Sequence, residues 1–495
     1  AALSWNVRTR LALLGFLSAS SLLLAQGVQR QAAPTPTLLT AIAQGRLLQR
    51  VRDLVELGPR TGGTASGESA AAYVARAFTQ MGLSPSRFSD PEVLAYEASA
   101  WHVRWAGGTT VASAWPFRYS PPIPETTVPV VVLPEAAAAP TARWRHRAIY
   151  TTAIGADTLA RWANDATPPV VVFTSAGTGS AAPEWLPLGE VARPPSHSVP
   201  VFAVNKADAL AFEAAEATGR QVNVSLSSRS QRRSPTTVIA TLRGARTDRY
   251  YLVSAHGDSD SGGPGADDNA SGVAALLEAA GILAARVRSG ATVLPFSVRF
   301  AIWGTEYASS RAYVAREGAR LADCLGVINI DEVGTGAARD ALYVEGNDVE
   351  WNRELLEVFQ AVGVEHRGPA GAWPEFTTVP TQGGTDAYSF LPRRYKGTGD
   401  TTLRIPSVTV FTAAWNRPRE LRQPPGWPTN SGDPGVVITD YSAVYHSAGD
   451  RPELTTEREP LNMVRAVGLI GLTIERLAEA WSNQEPTRSS ATSGR

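Results

Sequence analysis

From Thr237 onward the chain alternates short apolar runs with amphipathic ones, and this alternation restricts the possible folds more than any other feature. Thr237 to Leu242, Tyr250 to Ala255, Val298 to Trp303, Cys324 to Ile330 and, later, Ser407 to Thr412 read as strands. Between them, helices are predicted from about Ser271 to Val287 and near Ser310 to Glu317. Near-continuous apolar strands joined through helices need cover on both faces. The expected fold is therefore α/β, a mostly parallel mixed sheet flanked by helices. A last amphipathic helix carries Leu461, Val464, Val467, Leu472, Ile474 and Leu477, and the polar tail after Ser482 is expected to be disordered.

Upstream, apolar spacing predicts one helix from Leu38 to Leu57, stopped by Gly58-Pro59, and a second from about Glu68 to Met81, stopped by Gly82. Between about Asp90 and Ser234 the pattern changes to short Val-rich runs: Val128 to Leu133, Val170 to Phe173 and Pro200 to Val204. A helical run, Ala207 to Thr218, and the strand-like Val222 to Leu226 follow. This stretch holds no cluster of His, Asp and Glu and reads as an inserted β-rich module that shapes access to a site elsewhere. Arg8 and Arg10 precede an apolar run, Leu11 to Ala25, with a small-residue cleavage pattern at Ala25-Gln26-Gly27. The expected division is a signal peptide (1–27), N-terminal helices (28–89), insert (90–234), catalytic domain (235–481) and tail (482–495). The product would be exported, to the periplasm or beyond, and would touch a membrane only if that first segment stays uncleaved. No later stretch is read as long and apolar enough to cross a bilayer.

Lys plus Arg and Asp plus Glu both total 46, so there is no overall field to draw in nucleic acid. Cys324 is the sole cysteine, which excludes an internal disulfide and a cysteine-built metal cage. A bound metal would need nitrogen and oxygen ligands. The strand Tyr250 to Ala255 runs into His256-Gly257-Asp258, at the strand end where parallel sheets bind ligands. Asp258 falls on the same side as His256, where it would hold the second ring nitrogen. Asp267-Asp268-Asn269 then stands at the entrance of a helix striped by Val273, Leu276, Leu277, Ala280 and Leu283. One of these residues would suffice for a helix cap, leaving the rest unexplained. Glu306 and Asp331 follow predicted strands and His446 stands inside the run Tyr445 to Asp450, so two histidines and three carboxylates suit one or two zinc ions with a bridging carboxylate. Hydroxide held by the metals would attack a carbonyl while a glutamate moves the proton. His102, His146, His197 and His366 lie outside the pattern and read as surface or packing residues.

These residues resemble four ordered motifs of the di-zinc exopeptidases of metallopeptidase family twenty-eight, which includes secreted bacterial aminopeptidases. They are His256-Gly257-Asp258, the run Gly265 to Gly272, Asn329-Ile330-Asp331 and Tyr445-His446-Ser447. Val199 to Phe202 leading into Lys206 to Leu210 is similar to part of the family's protease-associated domain, and the likeness begins near Gly58-Pro59-Arg60. The resemblance implies zinc held by His256, Asp268, Asp331 and His446, with Asp268 bridging two ions, Asp258 behind His256, and a cis bond between Asp268 and Asn269. It implies hydrolysis of peptide or protein substrates at a chain end, by an aminopeptidase. The chain departs from the family at Trp303-Gly304-Thr305-Glu306-Tyr307, where two consecutive glutamates are usual. Read without a gap, Glu306 is the catalytic base and Tyr307 replaces a ligand; with a deletion, Glu306 is itself the ligand. Either way one carboxylate is missing, so that one metal would be bound weakly or one step of proton transfer would be slow. A second departure is Gly384-Thr385-Asp386-Ala387, where the family often has S-D-H. The alternatives are a homologue that binds a peptide or partner without turnover, and a single-zinc glutaminyl cyclase.

Overall fold

The computed structural model describes residues 37–134, 140–179, 184–191, 198–259, 261–335, 342–345, 350–366, 376–379, 385–391, 404–412 and 443–491. The signal-like segment, His197 and Gly384 lie outside them.

The chain begins with α1 (Leu38–Ala41), α2 (Gln44–Glu56) and α3 (Ala65–Gln80), followed by β1 (Pro85–Ser89). The excursion that comes next comprises β2 (Val93–Trp105), β3 (Trp115–Pro116), β4 (Ile123–Val132), β5 (Ala148–Thr151), α4 (Ala156–Ala163), β6 (Val171–Thr174), β7 (Val201–Ala203), α5 (Lys206–Glu213) and β8 (Gln221–Arg233). It returns through β9 (Thr236–Leu242) to β10 (Arg246–His256), α6 (Gly272–Ser289), β11 (Phe296–Trp303), α7 (Glu306–Glu317) and β12 (Cys324–Ile330). The remaining elements are β13 (Leu342–Glu345), α8 (Glu350–Glu365), β14 (Phe376–Val379), β15 (Ser407–Phe411) and α9 (Leu461–Ala491).

Among the described residues, eight strands form the main sheet in the order β1-β9-β11-β10-β12-β15-β13-β14. Its centre is parallel: β10 pairs with β11 on one side and β12 on the other, and β12 with β15. His256 lies level with Trp303, and Ser254 level with Asn329, so the three strands end together and the turns that follow them meet at one edge. The outer pairs β1·β9, β9·β11 and β13·β15 are antiparallel, which makes the sheet mixed as expected. The second sheet, β2-β8-β4-β5-β6-β7-β3, has its own core around Trp105, Tyr150, Phe173, Phe202 and Phe212. Because β1 and β9 are paired neighbours, with Ser89 opposite Thr236, the chain can leave and rejoin the main sheet without disturbing it.

Several boundaries differ from the sequence reading, four of them instructively. The expected helix from Leu38 to Leu57 breaks at Ile42-Ala43, where Ile42 turns extended and the Ala43 N–H donates to Glu278 Oε1 at 3.0 Å. The helix after β11 starts at Glu306 rather than Ser310, because Thr305 adopts extended backbone as its cap while its N–H donates to Ser309 Oγ at 2.9 Å. That segment has no apolar stripe to announce it. The strand read as Val222 to Leu226 runs on to Arg233, paired along β2 through polar residues. The tail expected to be disordered instead continues α9 to Ala491, since extending a helix already anchored by Met463, Val467, Ile470 and Ile474 costs far less than starting one.

One more correction concerns the membrane. Residues 266–289 are long and apolar enough to cross one, contrary to the sequence reading, but the helix is packed in the core. Most of α6 is buried all round rather than along a stripe. Its one buried acid, Glu278, is held by Arg46 at 2.5 Å and Arg50 at 2.9 Å, both from α2. Removing the carboxylate would leave Arg50 largely buried without its partner. Glu278→Ala is therefore expected to lower stability by roughly 3 kcal/mol, checked as a shift of the denaturant midpoint at unchanged slope.

Candidate metal centre

His256 is the last residue of β10 and is buried. Its Nδ1 faces Asp258 Oδ1 at 3.1 Å, while Nε2 faces Asp268 Oδ1 at 3.1 Å and Asp331 Oδ1 at 3.4 Å. Asp268 reaches a second imidazole with its other oxygen: Oδ2 lies 2.9 Å from His446 Nε2. One carboxylate thus spans two histidines that are far apart in sequence. Donor atoms of His256, Asp268 and Asp331 all lie within 4.8 Å of one another. The Asp268–Asn269 peptide bond is cis.

Each position is locally secured. Asp331 follows β12, and its Oδ2 accepts from Thr385 Oγ1 at 2.8 Å. Thr385 in turn accepts from Asn329 Nδ2, and Asn329 Oδ1 accepts from Ser254 on the neighbouring strand. Asp331 Oδ1 is buried and accepts no hydrogen bond among the described residues. An orphaned carboxylate oxygen beside an imidazole nitrogen and a second carboxylate is the donor set a zinc ion takes, so the residues fit that metal.

Sequence reasoning missed much of the support. Arg60 is fully buried and donates to the carbonyls of Gly257, Pro264 and Gly265 at 3.1, 2.8 and 2.7 Å, tying both ends of the loop between His256 and Asp268. Desolvation pushes its guanidinium down to about 10, and Asp450, Asp258 and Asp268 hold it charged. Gly265 has φ 60°, and a Cβ there would lie 2.5 Å from the Asp268 carbonyl oxygen, so only glycine suits the turn. The carboxylate of Asp450 accepts the backbone N–H groups of Asp267 and Asp268 at 2.8 and 3.0 Å. Asp267, read as a mere neighbour, accepts from Gly334 N at 2.6 Å and Thr335 Oγ1 at 2.6 Å, and so fastens the turn after β12 to the helix entrance. The available signals were the Gly58-Pro59-Arg60 run and the closeness of Asp450 to His446 in sequence.

Glu306, on the first turn of α7, brings a carboxylate oxygen within 4.8 Å of His256 and of Asp386. Asp386 is buried, and neither of its carboxylate oxygens has a hydrogen-bond partner among the described residues. Tyr307 is half-buried; desolvation, with Glu306 and Asp386 nearby, raises its phenol far above the usual range, so it offers no negative charge. His102, by contrast, lies between Asn223 and Ser225 in the second sheet, away from the site.

The electrostatics are those of crowded acids. Desolvation raises Asp267, Asp331, Glu332 and Asp386, with neighbouring carboxylates adding to the shift. Burial also opposes ionisation of Asp268, but hydrogen bonds from His256 and His446 outweigh it and hold that group low. For His256 burial disfavours the cation, yet Asp331, Asp258 and Asp268 together raise it well above the ordinary imidazole value.

Residues 237–468 match the model of peptidase family M28. The chain resembles the M28 peptidases. A probable zinc metalloprotease of Pyrenophora teres f. teres is 30% identical over 171 residues, covering 29% of this chain but only 36% of that relative's length. Among solved structures, BSAP, a zinc aminopeptidase from Bacillus subtilis, aligns over 88% of this chain and 95% of its own, with 18% identity and a TM-score of 0.54. The peptidase M28 precursor from Shewanella amazonensis gives 16% identity, 88% and 96% coverage and a TM-score of 0.55. At those identities the structural likeness establishes the α/β architecture. The M28 match, together with the donor chemistry, implies zinc.

The raised groups set a pH dependence for the metal-free protein. A carboxyl group whose folded pKa is raised stabilises the fold while protonated, and that stability is lost as pH rises through the folded value. His256, also raised, acts with the same sign, and the opposite contribution of Asp268 falls below the usual carboxylate range. The melting temperature of metal-free protein should therefore fall between about pH 5 and 8, and saturating zinc, which takes the place of those protons, should remove the decline. A metal-free melting temperature that climbs through this range would contradict the assignment.

Proposed function

We propose that this chain is an exported zinc-dependent exopeptidase that removes residues from the amino end of peptides or proteins. The observation that carries this reading is Asp268, whose two oxygens lie 3.1 Å from His256 and 2.9 Å from His446, with Asp331 beside them. His256, Asp268 and Asp331 would hold one zinc ion; His446 and the other oxygen of Asp268 would hold a second, more weakly, because Tyr307 brings no carboxylate. Zinc bound there supplies Lewis acidity at a scissile carbonyl and makes a water more acidic.

The remaining work falls to the chain's own groups. Glu306 is the catalytic carboxylate, placed beside His256 to accept the proton of an attacking water and return it to the leaving amine. Asp258 holds His256 Nδ1 and so keeps Nε2 directed at the centre. Tyr445 stacks on His446 with ring centroids 3.6 Å apart, and burial with Asp268, Glu332 and Asp331 nearby keeps its phenol protonated, suiting it to donate to a developing oxyanion. The surplus of buried carboxylates, Glu332 among them, favours a substrate end carrying an ammonium group. Export rests on Arg8, Arg10 and the apolar run to Ala25, and the zero net charge gives no reason to expect nucleic acid as a partner.

The decisive assay uses amino-acid anilides. Activity should vanish with a chelator and return with zinc. Glu306→Gln should lower kcat by about 10²- to 10⁴-fold while zinc content stays unchanged. Zinc binding without release from any anilide would identify instead a peptide-binding homologue. Tyr307→Glu should tighten the second zinc, read by titration against a competing chelator; unchanged second-site affinity would show that Tyr307 does not stand at a ligand position.

A further inference from the structure

The excursion that forms the second sheet meets the surroundings of the metal centre in the segment between β6 and β7, and its Trp115 also donates to the Gly262 carbonyl at 3.2 Å, in the loop between His256 and Asp268. Between β6 and β7, Leu188 donates its backbone N–H to the carbonyl oxygen of His446 at 2.7 Å, and Pro187 forms an antiparallel bridge with Ser447. Trp185 lies against the same turn: it packs on Val444, as does Tyr445, and a Cβ placed on Gly449 would come within 2.6 Å of its indole ring. The Arg451 guanidinium sits 5.7 Å from that ring. Leu188 also approaches Gly263, in the loop between His256 and Asp268. His446 itself has φ 51°, a left-handed conformation uncommon outside glycine, asparagine and aspartate but one that histidine tolerates better than most residues. The turn's internal hydrogen bonds, from Ser447 Oγ to the Val444 carbonyl and from Gly449 N–H to Ser447 Oγ, close it; Asp450, which accepts the Asp267 and Asp268 N–H groups, ties its far end to the acidic loop, and the Trp185–Leu188 segment holds the end that carries His446.

We infer that the segment Trp185–Leu188 of the inserted module is a positioning element of the metal centre, holding the His446 turn so that Nε2 meets Asp268. Trp185 touches neither substrate nor metal; it acts through His446. The inference rests on the reading of His446 as a zinc ligand. It makes the insert part of the hydrolytic machinery rather than only a wall around it. The zinc ion on the His446 side then depends on the contact that Trp185–Leu188 makes with the turn, whereas the ion centred on His256, whose ligands all come from the main sheet and its turns, does not depend on that contact.

The test compares full-length wild type with Trp185→Ala, Trp185→Phe and His446→Ala. Stepwise zinc affinities are measured by titration against a competing chelator, and backbone hydrogen exchange is followed in peptides covering 443–451 and 256–268. Trp185→Ala should weaken the zinc step that His446→Ala abolishes by about 10- to 100-fold and leave the other step unchanged, and Trp185→Phe should restore most of the loss. Exchange in 443–451 should rise in Trp185→Ala while 256–268 keeps its protection. If both zinc steps in Trp185→Ala match wild type, or if both weaken equally, the inference is overturned. If His446→Ala changes no zinc step, the reading of His446 as a ligand fails, and exchange alone then decides the clamp: faster exchange in 443–451 upholds it and unchanged exchange refutes it.

Discussion

The constraint on which the rest of the structure depends is the burial of many carboxylates in one place. Asp258, Asp267, Asp268, Glu306, Asp331, Glu332, Asp386 and Asp450 are all buried around the ends of the central strands, opposed by Arg60 and the imidazoles of His256 and His446. Water would solvate these charges far better than a protein interior does, so each must find a donor, a cation or a proton. Most of the local architecture answers that need. Asp450 takes two backbone amides, Asp267 takes an amide and a hydroxyl, and Asp258 takes the imidazole. The oxygens that remain orphaned, on Asp331 and Asp386, lie close to His256, where added positive charge stabilises most.

The same constraint explains why the loop from His256 to Asp268 is built as it is. A loop crowded with acids at its ends would splay without an internal brace. Arg60 supplies one from the connection between α2 and α3, bonding three carbonyls at once in a geometry that a lysine, with its single ammonium, does not reproduce. Gly265 lets the chain turn back sharply enough for Asp268 to face both histidines. Packing then fixes the platform: α6 is buried nearly all round, so the helix that follows the acidic turn cannot shift without disturbing the core.

The fold was legible from the sequence where periodicity was strong. Runs such as Tyr250 to Ala255 and Cys324 to Ile330 have the composition of buried parallel strands and became β10 and β12. Boundaries failed where the deciding contact was distant. Leu38 to Leu57 has one continuous helical pattern, and only Glu278, more than 200 residues away, shows why it breaks. The start of α7 was missed because Glu306, Ser309 and Ser310 are buried by neighbours rather than by an apolar stripe of their own.

By itself, the sequence determined the residue types and their order: His256 and Asp331 at strand ends, Asp258 just beyond the first, Asp268 at a helix entrance and His446 in a Gly-terminated turn, with nitrogen and oxygen chemistry and no thiol. The strand ends were legible because the register of β10 and β12 follows from local apolar patterning. Only the tertiary structure decided which oxygens of Asp268 face which imidazole, that Arg60 and Asp450 brace the loop, and that Trp185 and Leu188 of the insert meet the turn carrying His446. These contacts join residues from separate sheets and separate turns, and no spacing along the chain encodes a distance that exists only once both sheets have packed.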